Sequence, residues 1–409
     1  KSAVAKVTAR SSAWPDEVKE HVTALDAAVK SGDLRAAATR TGFLRNVLLR
    51  VPEYRRNLSA IKPPPGEEAV PLREFVKMEA PVFTTAAADT SITFKPEQIT
   101  GVATDKWDWI GAISLSGAGA PVIATASARE VRLASGATFP FPGGTLNPLP
   151  ETRSILPVDF NYDFKTDLVL AGAGGVRLFR QDSPSAFTDV TMETKLPAAT
   201  INRQYAQAWA ADIEADGDLD LVLGSAEQLP AVLRNNGDGT FTEIEPFAAI
   251  SGLSGFAWAD LDADGDPDAA LIDGDSKLRV FSNERQGQFT ETSVADTNVR
   301  AMNVIDADND GVLDLVTVNS NGKIKRLSDK DQLGKWEIVE IGQVPIAEHF
   351  FSVVDLRVAD LDNNGGLDLI AVCAAPGLDK GAFVWLSDKD GTFTSLPSPV
   401  GSQRVFDIS

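Results

Sequence analysis

Five stretches decide the fold: DFNYDFKTDLVL (159–170), DIEADGDLDLVL (212–223), DLDADGDPDAAL (260–271), DADNDGVLDLVT (306–317) and DLDNNGGLDLIA (360–371). Their starts lie 53, 48, 46 and 54 residues apart. Each copy closes on a short apolar run of β character. A period of this length, ending each time on a strand, indicates the blades of a propeller and excludes an array of helical repeats. Downstream of each copy comes a strand pair around a polar turn, as in LRNNGDGTFTEI (233–244) and WLSDKDGTFTSL (385–396). Asn, Asp and Gly between β-rich flanks mark a hairpin. With the strand ahead of the loop, each copy predicts four strands. Phe187, Phe241, Phe289, Trp336 and Phe393 open the outermost strands and are expected to pack between blades.

Within a copy, oxygen-bearing side chains stand at positions 1, 3, 5 and 9, with Gly at position 6 in four of the five. Odd spacing around a glycine turn lets a loop wrap a hard cation, and the carbonyl of position 7 adds a further oxygen. So many carboxylates in one loop repel each other unless a cation lies among them. The EF-hand also begins D-x-D-x-D-G, but it needs a Glu at position 12 and flanking helices. Position 12 is here Leu170, Leu223, Leu271, Thr317 and Ala371, and the ninth residue leads straight into a strand.

The copies resemble the FG-GAP, or VCBS, repeat family, which includes the integrin α-subunit propellers. AWAADIEADGDLDLVLGS (208–225) and FAWADLDADGDPDAALID (256–273) carry the likeness most clearly. They look like bacterial VCBS proteins of the cartilage acidic protein and UnbV group, and the resemblance spans roughly residues 80–409. It implies Ca²⁺ as cofactor, three to five ions in all. The family's ligands carry over to Asp212, Glu214, Asp216 and Asp220, to Asp260, Asp262, Asp264 and Asp268, and to Asp306, Asp308, Asp310 and Asp314. Asp360, Asp362, Asn364 and Asp368 form a copy with one charge fewer. Asp159, Asn161, Asp163 and Asp167 form the most divergent copy, since Phe164 replaces the turn glycine. Position 7 contributes its backbone carbonyl from Asp218, Asp266, Val312, Gly366 and Lys165.

A worn copy over 109–141 keeps the strand rhythm without carboxylates in its loop and counts as a blade without metal. APVFTTAAADTSITFKPEQI (80–99) reads as the last two strands of a blade, and GSQRVFDIS (401–409) as the opening strand of one. The expectation is a mainly β chain with a seven-bladed propeller over 75–409, six blades plus one shared between the two ends. Ring closure leaves no raw sheet edge.

Ahead of the propeller, Val18, Val22, Leu25 and Val29 predict an amphipathic helix that Gly32 ends. Asp33 then caps a second helix that stops before Pro52. This hairpin over 1–61 resembles a tetratricopeptide unit, and 62–74 is a Pro-rich linker.

The chain of 409 residues carries a net charge of −20, while residues 1–62 hold 12 Lys+Arg against 6 Asp+Glu. A surface this acidic excludes nucleic acid as a partner, since no counterion release is gained. No apolar run is long enough to span a membrane. The lone cysteine, Cys373, excludes an intramolecular disulfide. Three function classes stand. A non-catalytic scaffold would bind another protein through a propeller face. A lectin would stack sugars on Trp107, Trp109, Trp209, Trp258 or Trp385 where these are exposed, although packing between blades is the favoured role of these rings. An enzyme, or an accessory domain of one, finds least support: His21 and His349 lie far apart, and no nucleophile elbow or phosphate loop appears. Extracellular calcium modules commonly work at about 10⁻⁴ to 10⁻³ M, so the loops imply a periplasmic, cell-surface or secreted setting.

Overall fold

The computed structural model describes residues 16–33, 36, 37, 40, 41, 44, 85–95, 107–115, 119–145, 148–247, 250–262, 264–284, 287–292, 294, 296–329, 335–344, 353–373 and 381–397. The chain divides into two compact units, Lys1–Val82 and Phe83–Ser409.

In the first unit, helix α1 runs over Asp16–Ser31. It buries Val18, Val22, Leu25 and Ala28 on one face, while Val29 is half-buried. Gly32 ends it with φ of 80°, and Asp33 N–H donates back to the Ala28 carbonyl at 3.1 Å. The Asp33 carboxylate accepts from Ala36 N–H at 3.0 Å, the cap expected of a following helix. The 62–74 linker and the stop at Pro52 lie outside the described residues.

Among its described residues the second unit contains six four-stranded antiparallel sheets, each with its strands in sequence order. We number them blades 1 to 6, over 109–140, 155–189, 207–244, 253–292, 299–343 and 353–395. The second strands of blades 2 to 6 are Asp167–Gly172, Asp220–Ser225, Asp268–Asp273, Asp314–Asn319 and Asp368–Cys373, and every residue of them is buried. A strand covered on both faces has no polar side to show, which is why these segments read as unbroken apolar runs after the leading Asp. First strands of neighbouring blades meet one another, so they surround the axis and the fourth strands form the rim.

Apolar clusters fill the gaps between blades. Phe139 of blade 1 meets Phe187 of blade 2 edge-on at 4.9 Å, and Phe247, between blades 3 and 4, lies 5.0 Å from Phe289. Phe393 packs on the cluster joining blades 5 and 6. The outer-strand aromatics thus serve blade packing, as expected. Trp109, Trp209 and Trp385 are also buried in these clusters, so their role is blade packing and they offer no exposed platform for a sugar. Trp258 is half-buried and stacks on Phe256 at 12°, and Arg132 lies over the half-buried Trp107.

Among the described residues, six complete sheets are therefore present, with blade 1 one of them. Residues 85–95, expected to hold part of two further strands, contain none. Their alanine run has little strand preference. Asp89 instead closes a tight turn, its carboxylate accepting from Ser91 N–H at 2.9 Å and Ser91 Oγ at 2.6 Å. The segment lies on blade 6: Ala88 and Ile92 pack beside Ile370, Val384 and Leu386, and Ala86 N–H donates to the Asn364 carbonyl at 2.8 Å. Residues 401–409 and His349 lie outside the described residues.

Candidate metal loops

The five acidic loops join the first and second strands of blades 2 to 6, so they share one end of the propeller. In each, the ninth residue pairs with the residue just ahead of position 1: Asp167 with Val158, Asp220 with Ala211, Asp268 with Ala259, Asp314 with Ile305 and Asp368 with Ala359. The loop is thus a closed hairpin of eight residues.

Backbone hydrogen bonds organise it identically in all five copies. The position 1 carboxylate accepts from the N–H groups of positions 5 and 6. For Asp212 these are Asp216 and Gly217, both at 2.9 Å; for Asp306 they are Asp310 at 3.0 Å and Gly311 at 2.9 Å. Asp159, Asp260 and Asp360 repeat the pattern. The position 5 side chain accepts from the N–H of position 7: Asp163 from Lys165, Asp216 from Asp218, Asp264 from Asp266, Asp310 from Val312 and Asn364 from Gly366. Short acidic side chains favour such local turns.

The ninth-position Asp does more than the spacing indicates. It is almost wholly buried in every copy. One oxygen accepts from the N–H of position 2, as Ile213 to Asp220 at 2.8 Å. In four copies the other accepts from the third strand, through Gln181, Asn235, Asn283 or Ser387. This carboxylate clamps loop and sheet together. No nearby motif marks that role, because the strand partner lies 14 to 19 residues downstream.

Among the described residues, three loops gather carboxylates closely enough for one ion, with ligand atoms within 4.8 Å of one another: Asp260, Asp262 and Asp268; Asp306, Asp308 and Asp314; and Asp360, Asp362 and Asp368. All-oxygen, half-buried and close together, these sets suit a hard divalent cation such as Ca²⁺. Neighbours impinge on two of them. Arg326 forms an ion pair with Asp308 as well as with Glu337, and Asp362 accepts from Asp89 N–H at 2.7 Å. In the 212 loop the longer Glu214 turns toward Arg234, Oε1 to Nε 3.5 Å. In the 159 loop the Lys165 ammonium sits 2.8 Å from Asp163, and the Tyr162 hydroxyl donates to the Gly217 carbonyl of the next loop.

Without an ion, the charged forms are disfavoured. Burial first, then mutual repulsion, pushes Glu214 up to about 7 and Asp262 up to about 6. Burial likewise raises Asp220 to about 7 and Asp167 to about 6, although their backbone donors oppose it. Asp212, Asp260, Asp268 and Asp368 shift upward for the same leading cause.

Sheets of four up-and-down strands packed face to face around an axis, with acidic hairpins at one end, define a β-propeller. An FG-GAP-like repeat family matches residues 159–223, 212–271 and 260–317. Residues 159–317 thus carry three FG-GAP-like repeats within a β-propeller fold. No curated protein sequence matches it. Among solved structures it is similar to an Agrocybe aegerita lectin described as specifically recognising non-reducing terminal N-acetylglucosamine. Identity is 19%, over 74% of this chain and 81% of that one, with a TM-score of 0.51. It also matches BBS1N in complex with ARL6DN at 14% identity, over 73% and 81% of the two chains, TM-score 0.43. A mutant of AofleA from Arthrobotrys oligospora matches at 9%, over 72% and 86%, TM-score 0.40. The lectin likeness shows the fold alone.

Proposed function

We propose that this chain is a non-catalytic, calcium-stabilised propeller that serves as a protein-binding or assembly scaffold in a periplasmic, cell-surface or secreted setting. The observation that carries this reading is the three equivalent carboxylate triads at one end of the ring. Asp260, Asp262 and Asp268, with their counterparts in blades 5 and 6, would hold the ions, and the 212 and 159 loops would take one each at lower affinity. Bound calcium would neutralise the converging charge and fix the loop surface that a partner meets. Seven blades complete the ring in this reading, the last shared between the two ends of the 75–409 unit, with residues 85–95 contributing a turn and not a strand.

Burial of Trp109, Trp209 and Trp385 weighs against carbohydrate as the ligand, since sugars stack on exposed rings. Elemental analysis of the purified full chain is expected to find calcium. Titration into the chelated protein, followed by melting temperature, should show a midpoint at about 10⁻⁴ to 10⁻³ M. A midpoint below about 10⁻⁷ M, where cytosolic buffers operate, would overturn the exported setting. Cross-linking in its native extract should capture a protein partner in calcium and lose it in EDTA. A glycan-array signal with no protein partner would replace this reading by the carbohydrate one.

A further inference from the structure

The blade 6 loop departs from the other acidic loops at two positions. At position 5 it carries Asn364 where they carry Asp163, Asp216, Asp264 and Asp310, and at position 7 it carries Gly366 where they carry Lys165, Asp218, Asp266 and Val312. Residues 85–92 account for both. Asn364 Nδ2 donates to the carbonyls of Ala86 at 3.3 Å and Ser387 at 2.8 Å, while the Asn364 carbonyl accepts from Ala86 N–H at 2.8 Å. A carboxylate at 364 would face two carbonyl oxygens with no proton to give. A Cβ on residue 366 would stand 2.8 Å from the Thr85 methyl and 2.7 Å from Ser387 Oγ, too close for both to stay in place.

The same segment reaches a candidate ligand. Asp89 N–H donates to Asp362 Oδ2 at 2.7 Å, and the other oxygen of Asp362 accepts from Asn364 N–H at 3.1 Å. Thr85 Oγ1 donates to Asn309 Oδ1 of the blade 5 loop at 2.9 Å. Ala88 and Ile92 pack beside Ile370, Val384 and Leu386, an apolar anchor separate from the carboxylates. Asp362 therefore serves both the segment and the triad it forms with Asp360 and Asp368. The two demands on it agree. Without an ion, repulsion within the triad favours turning Asp362 outward, which breaks the bond from Asp89. A cation holds the carboxylate ionised and inward, where a hydrogen bond to it is charge-assisted. Conversely, the Asp89 N–H fixes the side chain in the orientation an ion needs, so less freedom is lost on binding.

We propose that residues 85–92 are a strap that completes the blade 6 metal site, with Asp89 N–H positioning Asp362, so that strap docking and Ca²⁺ binding in the 360 loop strengthen each other. Coupling through one shared carboxylate is reciprocal. Asn364 and Gly366 fit the loop to the strap. The strap is the stretch by which the chain enters the unit Phe83–Ser409, so occupancy of a single loop sets how firmly that entry is held. This rests on calcium as the ion of the loops.

Residue-resolved amide exchange on the full chain tests it. Ala86 and Asp89 report on the strap, Asn364 and Gly365 on the blade 6 loop, and Asp264 and Gly265 on the blade 4 loop, each through the hydrogen bond its N–H makes. Calcium is expected to slow exchange at all six. Ile92→Ser, which loosens the strap at its apolar anchor, should raise the calcium midpoint of the blade 6 loop by about fivefold and leave the blade 4 midpoint in place. Asp362→Asn, which keeps an acceptor for Asp89, should abolish the calcium response of Ala86 and Asp89 while the blade 4 loop still responds. Protection of both loops by calcium with an indifferent strap, or an unshifted blade 6 midpoint in Ile92→Ser, would overturn the coupling and leave the calcium reading standing. No response at any of the six amides would remove the calcium reading, and this proposal with it.

Discussion

Phe164 occupies the sixth loop position, where the other four copies carry Gly217, Gly265, Gly311 and Gly365 with φ between 87° and 97°. Its own φ is 64°, and it is 92% exposed, so nothing packs on the ring to offset the strain. A left-handed conformation costs a non-glycine residue about 1–2 kcal/mol, of which the greater unfolded-state freedom of glycine takes back about 0.5–1. Phe164→Gly is therefore expected to stabilise the protein by about 0.5–1 kcal/mol in chemical denaturation, and a loss of stability would show that the ring has a contact worth more than the strain. The need for a left-handed residue was legible in the sequence from the four glycines. That Phe meets the need and is not avoided could be learned only from the backbone. Lys165 was legible merely as a seventh-position carbonyl, yet its ammonium reaches Asp163 and supplies a tethered positive charge beside that loop. The ninth Asp was legible as an oxygen donor. Its second role as a clamp depends on Asn235 or its equivalents, a partner that only the folded sheet brings near.

At the scale of the hairpin, the backbone pattern explains which substitution reports on metal and which on folding. Asp264 accepts from Asp266 N–H, so truncating it costs a turn hydrogen bond whether or not calcium is present. Asp262 is a cleaner probe. It accepts a longer bond from Asp264 N–H at 3.1 Å, an interaction an amide oxygen can keep, and its carboxyl is raised to about 6 by burial and by Asp268 and Asp264. Asp262→Asn keeps the acceptor and removes the disfavoured charge. It should raise the melting temperature in EDTA and lower it in millimolar calcium, a change of sign between two scans of one variant. A drop of equal size in both would mean that Asp262 supports the hairpin alone. The loop and its four strands were legible because odd carboxylate spacing, glycine and apolar runs are local signals. The turn formed by residues 85–95 was not, because its backbone bonds to Asn364 and Asp362, more than 270 residues away in sequence. That Trp109, Trp209 and Trp385 pack between blades was legible, but which neighbour covers each, blade 2, blade 4 or blade 5, was not.

For the whole molecule, the acidic loops and the net charge of −20 act in the same direction. Asp167 and Asp262 titrate near 6, and Glu214 and Asp220 near 7, all well above ordinary carboxyl values, with burial the leading cause each time. The ion-free folded protein therefore holds more protons than the unfolded chain between about pH 4 and 7. Stability from these groups is complete below the unfolded values near 4, and it is lost as pH rises through 6 to 7. Self-repulsion of the acidic surface grows over the same interval. Calcium inverts the sign, since a cation among the carboxylates favours their charged forms and competes with protons for the same oxygens. In EDTA the melting temperature should fall steadily from pH 5 to pH 7.5. In millimolar calcium it should rise over that range, and the gap between the two curves should widen with pH. Glu214→Gln and Asp262→Asn together should flatten the EDTA curve, because they remove two of the four groups that generate it. A melting temperature that rises with pH even in EDTA would mean that these carboxyls are already ionised in the ion-free fold, and with it would go the charge-repulsion argument for a bound cation.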